Sequence, residues 1–533
     1  MQHRLPLLKH PLPRLIEALL VITLLIGIGL RFVHLDRKPY WVDETYTSLR
    51  VSGHTETEFV SQFYTGVVTP ISTIRTYQQV NPDRSVTKTL ESLALESPQH
   101  SPLYSVLAHW WMTQFGSAIA IPRLLSAILS LLLIPAMYWL CWELFGTTLA
   151  AWIGTLLVSV SPFHLLYAQE ARSYSLWAGV IGLTSAALLY ALRLETTQKP
   201  ALKAWGAYTL TVALALYTFV FSIFVLLAHG CYILLTQSRS RPISAYLLAS
   251  LVGISTFTPW IWVILQNWNK LSSTTEWTGK RTAFGQLLQR WLVNTGNVFV
   301  DGNWGYRALT VPTLLVLALV GFAFYVCIRE LSRDRQWFIL LLTLIPALGL
   351  ILPDLVGGGI RSIHPRYFTP TWLGVELAVI GLLATRFDQS FKGVKPWRII
   401  LVILVCAGLV SGGAIAQADT WWNKDPAKHP RDREVAALLN QAAKPLVLSD
   451  DSTSLSDCFA CRVFSLSHSL DNDVSFLLFR QPNLPSIPVG FSDVYLWNPD
   501  ASLLEKMQAT MGDNMEQMTW HNQLVPLWRL NLP

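Results

Sequence analysis

Four short polar stretches carry the residue types in this chain that can do chemistry. Pro39-Tyr-Trp-Val-Asp-Glu-Thr-Tyr places two acids, Asp43 and Glu44, just after a long apolar run. A carboxylate in a partly desolvated setting can act as a general base toward a hydroxyl group; the same pair can equally be an interfacial acid capping a helix that starts near Thr45. Glu96-Ser-Pro-Gln-His-Ser-Pro-Leu-Tyr holds His100 between two prolines that restrict the backbone on either side. Tyr167-Ala-Gln-Glu-Ala-Arg-Ser-Tyr puts Glu170 and Arg172 in a turn between two apolar runs, where charge is costly unless paired or used. There the alternatives are a substrate site, an ion pair between the two, or a snorkelling anchor. Finally, Pro353-Asp-Leu-Val-Gly-Gly-Gly-Ile-Arg-Ser-Ile-His-Pro-Arg-Tyr gathers Arg361, His364 and Arg366. Guanidinium forks match phosphate oxygens and stabilise charge on a leaving group, although basic residues that simply face lipid headgroups are also common.

The elements that must position these groups are membrane helices. Of 533 residues, 52% are hydrophobic and 14% charged, against about 25% charged in a soluble domain. Apolar runs reach the roughly 17–25 residues that a hydrocarbon core requires. The expectation is about eleven spans, over 14–33, 121–144, 148–167, 172–193, 204–217, 219–236, 243–265, 308–328, 336–353, 367–386 and 398–416. The basic start followed by an apolar run with no small-residue cleavage site reads as a retained signal-anchor helix. The net charge of +7 is spread over short loops rather than gathered in one stripe, which argues against a nucleic-acid partner.

One apolar segment, 101–115, sets the orientation of everything after it. At about 15 residues it is short for a span, and treating it as a juxtamembrane helix puts Arg193, Lys199, Lys203, Arg239, Arg241, Arg329, Arg333, Arg335, Arg386, Lys392, Lys395 and Arg398 on the cytoplasmic side, as the positive-inside rule requires. The four polar stretches then lie outside the cytoplasm, in a first outer loop at about 34–120, the turn near 170 and the loop 354–366. The organisation expected is an all-α polytopic module over 1–416 followed by a small extracytoplasmic α/β domain over 417–533. In that tail, apolar runs at Pro445, Val474, Val494 and Leu524 alternate with helical pieces at Arg433–Ala443 and Ala501–Met511.

Cys458-Phe-Ala-Cys461 lacks the further ligands a zinc set needs, leaving a structural disulfide or two thiols. Gly412-Gly413, inside the last span, reads as close helix packing. No nucleotide-binding glycine pattern appears.

In this order the motifs resemble the GT-C membrane glycosyltransferases, especially the family-39 group of protein O-mannosyltransferases and lipid A aminoarabinose transferases, over roughly residues 14–386. Asp43-Glu44 resembles that group's acidic first-loop motif, Gln99-His-Ser-Pro-Leu-Tyr its His-Pro-Pro-Leu element, Ile121-Pro-Arg-Leu-Leu-Ser-Ala with Pro135 and Glu143-Leu-Phe-Gly its second span, and His364-Pro-Arg-Tyr367 a late outer-loop motif. Two departures stand out: Glu170 and Arg172 occupy a turn where the mannosyltransferases carry an aspartate, and Ser101 follows His100 where the element has proline.

The resemblance implies transfer of a sugar from a polyprenyl-phosphate donor to an extracytoplasmic acceptor, whether protein, lipid or glycan, in the cell membrane and with inversion. Asp43 would be the base and Glu44 an orienting group, with His100, Glu170, Arg172, Arg361, His364, Arg366 and Tyr367 around donor and phosphate. It leaves a divalent cation open, since some members need one; no metal-ligand cluster is evident in the sequence. The rival is a transporter or flippase of lipid-linked intermediates, which should place ionisable groups near the bilayer midplane, often in broken helices.

Overall fold

The computed structural model describes residues 14–81, 83–305, 309–424, 431–451, 459–481 and 485–532. Cys458 and the basic start lie outside them. The chain divides into two compact units, one of Met1–Leu35, Pro98–Tyr104 and Arg123–Ala418, the other of Asp36–Ser97, Ser105–Pro122 and Asp419–Pro533.

The first unit is helical and makes this a multi-pass membrane protein. Among the described residues six helices are long and apolar enough to cross a membrane: Ala120–Phe145, Tyr174–Thr196, Val311–Glu330, Arg333–Gly357, Pro365–Arg386 and Pro396–Gln417. Two bent pairs, Thr148–Val160 with Pro162–Ala168 and Ser240–Thr256 with Thr258–Gln266, each bent by 53°, make the number eight when each pair is counted as one span. At both breaks a proline opens the second helix, as expected of a residue with no N–H to donate. The other three expected spans are the shorter helices Arg14–Leu30, Leu202–Thr218 and Ser222–Thr236.

Burial sorts these helices into a centre and a rim. Tyr174–Thr196 and Pro365–Arg386 are enclosed by their neighbours, whereas Val311–Glu330 and Pro396–Gln417 turn apolar faces such as Leu315 and Val410 outward. Two enclosed guanidiniums are held by backbone carbonyls: Arg31 donates to those of Gly27, Ser159 and Val158, and Arg123 to that of Leu35. Of the expected packing glycines, Gly412 lies against Leu165 and Leu30 while Gly413 has nothing near it; the tighter approach is Gly408, whose added Cβ would meet the Val160 carbonyl oxygen at 2.6 Å.

The second unit holds a six-stranded sheet in the order β1-β3-β2-β4-β6-β5, with β1 Val68–Pro70, β2 Pro445–Asp450, β3 Ser475–Phe479, β4 Asp493–Trp497, β5 Met515–Trp520 and β6 Gln523–Leu530. β2, β3 and β4 run parallel; β5 and β6 form a hairpin whose turn residues His521 and Asn522 both take positive φ, the twist that suits a two-residue connection. Side chains alternate between faces with the strand period of two: Leu446, Leu448, Leu477 and Leu496 pack with Leu503 and Met507, and Val447, Phe476, Leu478 and Tyr495 line the opposite face.

Onto that second face come helices from both ends of the sequence: Leu49, Phe59 and Phe63 from the first loop, Val435, Leu439 and Phe464 from the tail. The sequence reading assigns 34–120 to the transmembrane module, but in the structure most of that loop groups with the tail, and β1 extends the sheet by pairing with β3, Val68 opposite Leu477. Three residues are too few to leave an alternation signal. The segment expected to be juxtamembrane is the helix Leu103–Phe115, roughly 20 Å long at 1.5 Å per residue; it is not among the helices long and apolar enough to span.

Candidate functional site

The acid pair sits in the first turn of the helix Val42–Val51, where negative charge suits the helix dipole. The N-cap residue is Trp41 and makes no side-chain cap bond, so the acids do not cap the helix as the sequence alternative has it. The helix is fixed at its far end by Leu49 in the sheet core and by Arg50, whose Nη1 lies 2.7 Å from Glu96 Oε2. Glu96 also accepts from the backbone N–H groups of Glu56 and Thr57 and from the Thr57 hydroxyl. Burial alone would raise the Glu96 carboxyl, but the Arg50 charge and these hydrogen bonds hold it below its ordinary value.

The two acids differ. Asp43 is half-buried. Glu44 is fully enclosed, and its Oε2 accepts from Lys424 Nζ at 2.8 Å. Lys424 is itself buried and lies 5.1 Å from the centroid of the Trp41 ring. Sequence reasoning missed Lys424, which stands alone in a polar stretch with no motif around it.

The basic cluster belongs to the first unit. The bent pair Thr148–Val160 and Pro162–Ala168 delivers the turn that carries Glu170, which is enclosed, and Arg172. Arg172 donates to His100 Nε2 at 3.4 Å, and its guanidinium lies 5.8 Å from the centroid of the Tyr174 ring. Arg366 lies 5.7 Å from the same ring and 5.3 Å from that of Tyr367, both within the range of cation–π attraction. His364 packs edge-on against Trp277 and Tyr367. The structure thus links His100, Arg172, Arg366, Tyr367 and His364 through aromatic rings. Tyr174, the ring at their centre, was visible only as the last residue of its motif.

Arg361 is held differently, by Asp354 at 3.1 Å, and the second oxygen of that buried carboxylate accepts from the Ser362 N–H. Ile360 N–H donates to the Thr278 carbonyl, Trp291 to the Ser362 hydroxyl and Asn294 to the Ile363 carbonyl, so the glycine-rich loop is tied down on several sides.

Below the turn, His164 of the half-helix Pro162–Ala168 lies 3.1 Å from Glu376, both enclosed. His164 lines a small cavity, about 10 Å³ in volume, with Tyr167, Tyr174, Ser130, Ser175 and Thr369. This intramembrane pair was also missed; each partner lies inside an apolar run, 212 residues apart. In the other unit Cys461 is disulfide-bonded. Among the described residues no three His, Cys, Asp or Glu side chains converge in a way that could hold a metal ion.

No protein-family model and no curated protein sequence matches this chain. Its fold does match solved structures along nearly its whole length. The crystal structure of ArnT from Cupriavidus metallidurans bound to undecaprenyl phosphate aligns with a TM-score of 0.54 at 12% identity, covering 97% of this chain and 98% of that one. The apo structure of the same protein aligns with a TM-score of 0.54 at 14% identity over the same shares. The chain therefore shares the fold of that protein, with the membrane helices and the sheet domain both included in the match.

Proposed function

We propose that this protein is a membrane glycosyltransferase that moves a sugar from a polyprenyl-phosphate donor to an acceptor hydroxyl outside the cytoplasm. The observation that carries the reading is the pair of guanidiniums, Arg172 and Arg366, gathered on the Tyr174 ring with His100 and His364 beside them. These groups are partly buried among aromatic rings, and a partly desolvated cationic cluster stabilises a departing phosphate more than a fully exposed one would.

Asp43 supplies the complementary half of the reaction, taking the proton of the acceptor hydroxyl as it attacks the anomeric carbon from the face opposite the phosphate. One glycosidic bond forms, one bond to phosphate oxygen breaks, the configuration inverts, and polyprenyl phosphate leaves with its negative charge among the arginines. Arg361, through Asp354, shapes the loop that carries His364 and Arg366. The likeness to a protein crystallised with undecaprenyl phosphate supports a lipid-phosphate carrier, and loop charge supports the extracytoplasmic side.

A second reading, a flippase for lipid-linked intermediates, is favoured by the buried His164–Glu376 pair beside a 53° break in a span. Both readings are tested in proteoliposomes with a panel of polyprenyl-phosphate sugars. Release of polyprenyl phosphate that depends on an added acceptor supports transfer. Donor that crosses the bilayer unchanged, with none cleaved for any sugar, overturns transfer in favour of the flippase.

A further inference from the structure

We infer that Lys424 is a positioning residue for the proposed base: its buried ion pair with Glu44 fixes the charge and the seating of the helix turn that presents Asp43. The inference rests on the reading of Asp43 given above and changes the part played by Glu44. With no exposed surface, Glu44 is closed to substrate; its carboxylate faces inward to Lys424 at 2.8 Å.

The geometry is that of a clamp on the start of the acid helix. Lys424 ends the short 3-10 turn Trp422–Lys424, and its N–H donates to the Trp421 carbonyl at 2.9 Å. Trp421 and Trp422 are buried, which anchors the turn. From there the ammonium reaches Glu44 and the ring of Trp41, the N-cap residue. Asp43 lies between those two contacts in sequence, so movement of either displaces it.

Electrostatics points the same way. A lone buried ion costs several kcal/mol, so the Glu44 carboxylate and the Lys424 ammonium, 2.8 Å apart and both enclosed, stabilise each other beside Asp43. Removing Lys424 leaves a second carboxylate next to Asp43 and favours the protonated acid; removing Glu44 leaves an ammonium there and favours the carboxylate.

Other charged groups surround the helix and stay unchanged throughout. On the helix or just before it are Arg37, paired with Asp419, Lys38, and Arg50, paired with Glu96. From the elements packed against it come Lys88 and Glu91 on the helix Val86–Glu96, Arg462 on Phe459–Ser467, Asp432, which accepts from Ser465, and His468, whose ring lies 4.9 Å from that of Tyr40. His54 and His109 lie at its C-terminal end.

The test uses the full-length protein in detergent and reads Asp43 directly. Carbodiimide labels protonated carboxyls, and mass spectrometry of the Asp43 peptide gives the pH of half-maximal labelling for wild type, K424M, K424R, E44Q and the E44Q/K424M double variant. The expected result is a midpoint moved up by about one pH unit in K424M and down in E44Q, little changed in K424R and returned toward wild type in the double variant. Midpoints that stay put in both single variants would overturn the inference, as would a double variant that fails to reverse the shift. E44Q judges the inference alone if K424M does not fold. Because labelling needs no turnover, an inactive wild type would count against the proposed function and leave this result standing. In an active enzyme, the acid limb of kcat/KM should move with the labelling midpoint.

Discussion

The Arg366 guanidinium lies 5.7 Å from the centroid of the Tyr174 ring, the ring that Arg172 also approaches. Two cations on one aromatic ring repel each other and are held there by the ring's negative face and by the fold, so an arriving phosphate relieves repulsion as well as gaining hydrogen bonds. Losing one charge-assisted bond of about 1.5–3 kcal/mol corresponds to roughly ten- to hundredfold in affinity. R366A is expected to raise the donor KM in that range, and R366K to recover part of it, since an ammonium lacks the planar fork. Donor KM from initial rates checks this; an unchanged KM in R366A would remove Arg366 from the phosphate site.

The buried pair Arg50–Glu96 makes the acid helix sensitive to acid. The Glu96 carboxyl is held below its ordinary value of 4.5 in the folded protein, so its contribution to stability is complete above that value and is lost as pH falls through the lower, folded one. Wild type should therefore lose melting temperature steeply below about pH 4.5, and E96Q should have a flatter acid limb. Since Arg50 would be left buried without its partner, E96Q should also cost about 3–5 kcal/mol at neutral pH. Denaturation in detergent as a function of pH measures both; parallel pH profiles would contradict the assignment.

His164 and Glu376 make a hydrogen-bond contact at 3.1 Å inside the helical unit, both enclosed. Breaking it from one side strands a polar group, so H164L or E376L alone should destabilise by about 3–5 kcal/mol while the H164L/E376L pair costs less than either. The readout is a double-mutant cycle on thermal unfolding. Additive losses would mean that the two side chains are not coupled.

Two glycines in the last span separate close packing from open space. An added Cβ at Gly408 would press on the Val160 carbonyl, whereas at Gly413 it would meet nothing. G408A should lose about 1–3 kcal/mol, and G413A should be neutral or gain up to about 1 kcal/mol from the better helix former. Melting temperatures of the purified variants decide it; the reverse order would contradict the helix packing.

What was legible in the sequence follows from how far apart the cooperating residues stand. The Glu170–Arg172 turn, the His364-Pro-Arg-Tyr loop and strands β2, β3, β4 and β6 each form a local pattern, as hydrophobic periodicity or clustered polar residues. Lys424 and Glu44 are 380 residues apart and His164 and Glu376 are 212, and a tertiary polar contact leaves no mark at that range in one sequence. β1 joins the tail sheet by three residues, and β5 shows only partial burial and a register shift, so neither strand alternates cleanly. The acid pair was found by composition, but the difference between its two members, one half-buried and one sealed against Lys424, appears only in three dimensions.

The central claim is that Asp43 is the base of a sugar transfer from a lipid phosphate. Its most direct measurement is the rate of polyprenyl phosphate release by wild type and D43N in proteoliposomes with saturating donor and acceptor. The account predicts a loss of about 10²–10⁴-fold in D43N, the usual contribution of a general base, with donor KM and melting temperature unchanged. A D43N enzyme that is equally folded and releases the carrier as fast as wild type would contradict it.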